Sequence, residues 1–122
     1  MGKTVLIADD SKVFRALEMA YLTSRGYAVL HAGDGVETLR LAHENKPDLI
    51  LLDVQMPIMD GVQVLSTLKK NPEMKTIPVI IISTIGRDFD REIFIKGGAD
   101  EFISKPINGN ELIHKVFKLI GV

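Results

Sequence analysis

Leu49-Ile50-Leu51-Leu52-Asp53 decides how this chain folds: four aliphatic residues in a row run straight into a carboxylate. An apolar run without polar alternation reads as a strand buried on both faces, the condition of a parallel sheet covered by helices on either side. Working outward, further strand-like segments recur at Thr4–Ala8, 27–32, Val79–Ser83 and Glu101–Ser104. Between them the apolar spacing becomes helical. Phe14, Leu17 and Tyr21 share one face, Val64, Leu65 and Leu68 another, and Leu112, Ile113, Val116, Phe117 and Ile120 form a broader stripe.

Local signals mark the helix ends. Asp34 to Glu37, Asp60 to Gln63 and Asn108 to Glu111 each set a capping side chain three residues before a Glu or Gln. Gly26, Gly97 and Gly98 stand where helices should stop. Five β-α units in tandem predict an α/β, doubly wound domain with a five-stranded parallel sheet, right-handed crossovers and helices on both faces. A length of 122 residues gives one domain, spanning 1–122.

Composition excludes several classes of function. With 46% hydrophobic and 25% charged residues the chain is globular rather than disordered. A net charge of −1 lacks the basic excess of a duplex-binding domain. Five Phe, two Tyr and no Trp make a poor stacking platform, so no direct nucleic-acid partner is expected. The absence of Cys rules out disulfides, thiol catalysis and cysteine-ligated metals. The aliphatic runs 49–52 and 79–82 are far too short to span a membrane. The first strand is followed at once by Asp9 and Asp10 rather than by a signal segment. A cytoplasmic chain without membrane insertion is the expectation.

In a doubly wound sheet the ligand crevice lies beyond the carboxyl ends of the strands, where strand order reverses. The first strand ends in Asp9 and Asp10, the third in Asp53, the fourth in Ser83 and Thr84, and the fifth runs into Lys105-Pro106. The second ends blandly in Gly33-Asp34, as befits an edge away from the crevice. Asp9-Asp10 could be a helix cap, but Val13 stands where a capping box on Asp10 needs Glu or Gln. Clustered carboxylates repel one another, and a hard divalent ion relieves that repulsion. Mg²⁺ suits carboxylate oxygens and keeps several waters, so a metal site is the better reading.

Asp53 on its own reads as a hydrogen-bonded loop residue. Beside a cation and a lysine, a carboxylate can instead attack a phosphoryl group and form an aspartyl-phosphate. Lys105 on its own reads as a solvated lysine; Pro106 holds it extended and admits a cis bond, which aims its side chain. The Ser83 hydroxyl can donate to a phosphoryl oxygen.

The stretches VLIADDS (5–11), LILLDVQMPIMDG (49–61), PVIIIST (78–84) and GADEFISKP (98–106) together resemble the receiver domain of bacterial two-component response regulators, over essentially the whole chain. The resemblance implies the strand order 2-1-3-4-5 of a flavodoxin-like fold. It implies that Asp53 is the phosphoacceptor and Asp10 the principal Mg²⁺ ligand. Asp9 and the backbone carbonyl of Gln55 would complete the ligands, with Mn²⁺ as an alternative ion. Lys105 would contact the phosphoryl group, Ser83 would be the switch hydroxyl and Phe102 the switch aromatic, although by spacing alone Phe102 reads as core. Met56-Pro57 and Asp60-Gly61 match the loop that shapes the acidic crevice. The implied donor is a histidine kinase or phosphotransfer protein. The implied output is contact with a downstream protein through the fourth helix, fifth strand and fifth helix.

Two rival classes share parts of this pattern. A flavodoxin-like FMN carrier needs Gly, Ser or Thr amides after the first strand, where Asp9-Asp10 would repel phosphate. A Mg²⁺-dependent phosphohydrolase with Asp53 as nucleophile commonly has a second Asp two residues on, where this chain has Gln55. The implied activity is therefore confined to the protein's own phosphorylation and dephosphorylation rather than turnover. His31, His43 and His114 are scattered singly and read as surface or packing residues, and Lys69-Lys70 as a solvated helix face. Phe89, Ile93 and Phe94 fit either core or an interaction surface, on a helix without a clear capping box.

The resemblance also bears on how long a phosphoryl group would last. Hydrolysis needs a water in line with the departing carboxylate oxygen. In the family, the residues two beyond the phosphoacceptor and two beyond the switch hydroxyl flank that water; here they are Gln55 and Ile85. Ile85 can neither hydrogen-bond nor orient a water, and β-branched Thr84 is expected to narrow the crevice and slow entry of the donor. The phosphorylated protein should therefore lose its label more slowly than an Ile85→Glu variant once the donor is removed. A variant that keeps its label as long as wild type defeats the water-access argument.

Overall fold

The computed structural model describes residues 2–54, 61–83 and 88–121, with backbone only at 88–90. Strands and helices alternate along them: β1 (Thr4–Ala8), α1 (Lys12–Thr23), β2 (Ala28–Ala32), α2 (Gly35–Asn45), β3 (Leu49–Asp53), α3 (Gly61–Lys70), β4 (Val79–Ser83), α4 (Asp88–Lys96), β5 (Glu101–Ser104) and α5 (Gly109–Ile120). The sheet order is β2-β1-β3-β4-β5, and every pairing is parallel. This is the doubly wound, flavodoxin-like arrangement that the strand patterns and the resemblance predict.

Alternation along the strands builds two cores. Leu6, Ile50, Leu52, Val79, Ile81 and Phe102 point to the face covered by α2, α3 and α4. Val5, Ile7, Leu49, Leu51, Ile80 and Ile82 point to the face covered by α1 and α5. β3 and β4 are buried at every position, which is why their sequences show no polar alternation. Each fully buried aliphatic side chain contributes about 1.5–3 kcal/mol. At the amino ends of the strands, Asp48 Oδ2 accepts from Thr4 N at 2.8 Å and Asp100 Oδ2 from Val79 N at 2.9 Å.

Asp34 caps α2 through Glu37 N at 2.8 Å, while Glu37 Oε1 accepts from Gly33 N at 3.0 Å. Asn108 Oδ1 caps α5, accepting from Asn110 N and Glu111 N. The Asp60 cap lies outside the described residues. α1 carries a cap the motif search passes over, Ser11, whose hydroxyl accepts from Phe14 N at 3.4 Å. Gly26 and Gly98 take positive φ (89° and 109°) just beyond α1 and α4, where a side chain would be strained.

The inward face of α1 differs from the expected one. Leu17 is 42% exposed, and the buried residues of the helix are Glu18 and Leu22. The apolar set Phe14, Leu17, Tyr21 fits helical spacing, yet the helix is turned so that Leu17 meets solvent. On α5, Leu112 and Val116 are buried but Phe117 is 55% exposed. Tyr27 precedes β2 rather than starting it, and its buried ring sends a hydroxyl to Gly121 O. Leu22→Ala should cost about 2–5 kcal/mol in urea unfolding, whereas Leu17→Ala should stay within about 0.5 kcal/mol of wild type. Equal losses would contradict this orientation of α1.

Candidate functional site

β1 and β3 lie side by side at the point where strand order reverses, so their carboxyl ends open into one crevice. Asp9 and Asp10 follow β1, Asp53 closes β3, and an oxygen from each lies within 4.8 Å of the other two. Asp9 and Asp53 are buried while Asp10 is exposed at the rim. Ser83 ends β4 and is buried.

Lys105, one residue beyond β5, reaches across this gap. Its Nζ lies 3.2 Å from Asp9 Oδ2 and 3.2 Å from Asp53 Oδ2, with the side chain only 5% exposed. Burial alone would lower the lysine's pKa, but the charges of Asp53 and Asp9 and the hydrogen bond to Asp53 outweigh it and hold the ammonium above its ordinary range. The Lys105–Pro106 bond is cis. Lys105 N donates to Ser83 O at 2.6 Å, tying the lysine backbone to the end of β4. The ammonium also sits 4.2 Å from the centroid of the Phe14 ring.

Asp9 is held by α1 as much as by β1. Its Oδ1 accepts from Ser11 N at 2.8 Å, and its carbonyl accepts from Arg15 Nη1 at 3.2 Å. Gly61 begins α3 against the end of β3, where a Cβ would come within 2.6 Å of Val54 Cα and 3.2 Å of Asp53 O. Only glycine permits that approach.

Three hard oxygen donors this close suit a hard divalent cation. Asp9 Oδ2 adds to that fit: it is buried, ion-paired to Lys105, and without a hydrogen-bond partner. Gln55, Thr84 and Ile85, expected to contribute a carbonyl ligand and to tune lifetime, lie outside the described residues, as do Met56, Pro57 and Asp60. Phe102 is 5% exposed and packs in the core with its ring 6.4 Å from that of Phe94, so its position is inward. Phe94 is core and Ile93 is 43% exposed, which divides the two readings of α4; the Phe89 side chain is not described. His31, His43 and His114 are on the surface. Lys69 is not a solvated residue: its side chain is 19% exposed, and Nζ donates to Lys75 O and Ile77 O at 3.2 and 3.0 Å.

Sequence reasoning missed Glu18. It is 1% exposed, and its pKa is pushed up to about 8, first by burial and then by the charge of Asp9. The available signal was a charged residue four positions before Leu22, on the helix stripe that turns inward.

The family model described as the response regulator receiver domain matches residues 5–117. The polar-differentiation response regulator DivK of Brucella anthropi is 35% identical over 121 residues, covering 99% of this chain and 98% of DivK. The Francisella response regulator 1452 receiver domain superposes with a TM-score of 0.91 at 33% identity, over 98% of this chain and 97% of that one. The receiver domain of the sensor histidine kinase PA1611 from Pseudomonas aeruginosa, described with a magnesium ion coordinated in its active-site cleft, superposes with a TM-score of 0.91 at 27% identity over 100% of both chains. This chain belongs to the response regulator receiver domain family, the phosphorylation-controlled switches of two-component signalling.

Glu18 gives the fold a pH dependence. Its folded pKa of about 8 exceeds the ordinary value of 4.5, so folding takes up a proton between them. Its contribution to stability is therefore greatest below pH 4.5 and falls as pH rises through about 8. In Mg²⁺-free buffer, Glu18→Gln should gain on wild type from pH 5 to pH 8, by on the order of a few kcal/mol in urea unfolding. A constant difference across that range would contradict the burial argument.

Proposed function

We propose that Asp53 is the phosphoacceptor of this switch, with phosphohistidine of a histidine kinase or phosphotransfer protein as donor. The observation that carries this is the position of Asp53: buried at the end of β3, beside Asp9 and Asp10, with Lys105 Nζ at 3.2 Å. A carboxylate oxygen of Asp53 attacks phosphorus. The O–P bond forms as the P–N bond breaks, and the electron pair of that bond leaves on the donor imidazole. Asp9, Asp10 and Asp53 would hold Mg²⁺, with the backbone carbonyl of Gln55 as a further ligand; the same donors accept Mn²⁺. The bound ion supplies positive charge that lets an anionic phosphoryl group approach three carboxylates.

The remaining steps belong to this chain's own side chains. Lys105 already bridges Asp9 and Asp53 and transfers its ammonium to a phosphoryl oxygen with little movement. Ser83 donates its hydroxyl to another. The phosphorylated state favours the buried Phe102 against Phe94, and so biases α4, β5 and α5. That face, on which α4 exposes Ile93 and Ile95, passes the signal to a downstream protein. Residues 1–122 act as one receiver unit in the cytoplasm, and no described helix is long and apolar enough to cross a membrane. The protein catalyses only its own phosphorylation and dephosphorylation.

Acetyl phosphate with Mg²⁺ should add one acid-labile phosphoryl group, seen in the intact mass of wild type and missing from Asp53→Asn. Equal labelling of the two proteins would remove Asp53 from this role.

A further inference from the structure

A carboxyl group buried beneath a helix is a costly choice where Leu would serve. An uncompensated polar group in the interior costs about 1–3 kcal/mol, and more if charged. Glu18 occupies such a position, 1% exposed and one helical turn before the fully buried Leu22. Among the described residues, Glu18 Oε2 and Asp9 Oδ2 are the two buried side-chain oxygens with no partner of good hydrogen-bond geometry. The two carboxyls also lie within reach of each other. The group that breaks the apolar rule of α1 is therefore a buried neighbour of Asp9, a residue of the acidic crevice, and both leave an oxygen without a hydrogen-bond partner. It is not part of the crevice itself, because the oxygens that cluster within 4.8 Å come from Asp9, Asp10 and Asp53.

We propose that Glu18 is a positioning residue for the cation site, its buried side chain fixing the orientation in which Asp9 presents its carboxylate. Asp9 Oδ1 is fixed by Ser11 N and its carbonyl by Arg15, but Oδ2 has only the ion pair with Lys105. By the proposed mechanism Lys105 leaves for the phosphoryl group, which would release Oδ2 at the moment the site needs it aimed. Glu18, anchored on a different element from Lys105, holds Asp9 through that exchange. Partners behind metal-ligating carboxylates act in this way, and their loss typically weakens metal binding about 10–100-fold.

The inference rests on the Mg²⁺ reading of the acidic crevice, and one titration separates the two. Mg²⁺ is added to wild type, Asp10→Ala, Glu18→Gln and Glu18→Leu at neutral pH, with amide NMR shifts reporting affinity and metal-free thermal melting reporting the scaffold. Glu18→Gln keeps a polar head of the same shape and should stay within about threefold of wild type. Glu18→Leu should bind about tenfold more weakly while melting at or above the wild-type temperature, because an apolar side chain suits the buried position better. That opposite movement is something a merely structural residue does not produce. Wild-type affinity in Glu18→Leu overturns the proposal. So does an equal loss in Glu18→Gln, which would make charge the operative property, or a loss in Glu18→Leu that tracks a lower melting temperature. Wild type without Mg²⁺-dependent shifts, or Asp10→Ala with wild-type affinity, would overturn the metal reading itself and this inference with it.

Discussion

Two buried carboxylates face each other across the junction of β1 and β3, and one ammonium stands between them. Lys105 Nζ lies 3.2 Å from both Asp9 Oδ2 and Asp53 Oδ2. Without it, like charges would be forced together in a place that water barely reaches, and the strand ends could keep their present positions only with another cation between them. The bridge therefore links three strands electrostatically where backbone hydrogen bonds have run out. Lys105 is itself tied to β4 through its own N–H on Ser83 O. Charge balance at the mouth of the sheet and the register of β4 against β5 are thus aspects of one arrangement.

On the function proposed above, the same bridge is where switching would begin. A lysine shared between two acids has no exclusive partner, so an incoming anionic group competes for it on equal terms. On the proposed phosphorylation of Asp53, what would change first is the assignment of one charge. The backbone of Lys105 leads back into β5, which carries Phe102, packed against Phe94 of α4. On the other side of β5, Lys115 Nζ donates to Phe102 O at 2.8 Å and pairs with Glu101 and Glu111. Phe102 is consequently held from both α4 and α5.

How much of this was legible depended on what kind of signal each element emits. β3 and β4 declare themselves because burial on both faces demands unbroken aliphatic runs, and the structure bounds them where the sequence does. The site residues declare themselves because a doubly wound sheet delivers strand ends to one crevice, so Asp9, Asp10, Asp53, Ser83 and Lys105 could be gathered without coordinates. The orientation of α1 did not declare itself. Its apolar residues fit one helical stripe, but a helix is turned by everything it must satisfy. Ser11 and Arg15 bind Asp9, Phe14 covers Lys105, and Leu22 fills the core; together they turn Leu17 outward and Glu18 inward. Lys69 misled for a related reason. Its paired charge with Lys70 reads as solvated, yet its long stem lies over Gly98 and its head serves two carbonyls.

These misreadings on α1 share a cause that says something about the helix. In an element whose only task is to cover a sheet, hydrophobic periodicity alone would fix the rotation. On α1 the first turns are engaged with the site at every inward position: Ser11, Phe14, Arg15 and Glu18 each touch Asp9 or Lys105. From Met19 onward the helix behaves as simple cover, with Met19, Tyr21 and Leu22 packing into the core that also holds Leu112 and Val116 of α5. α1 therefore has a chemical end and a packing end, and its amphipathic pattern fails at the chemical one. Natural sequences tend to break local rules where function requires it. Here the break is a carboxyl in an apolar stripe, which places the part of α1 that serves the crevice at residues 11–18.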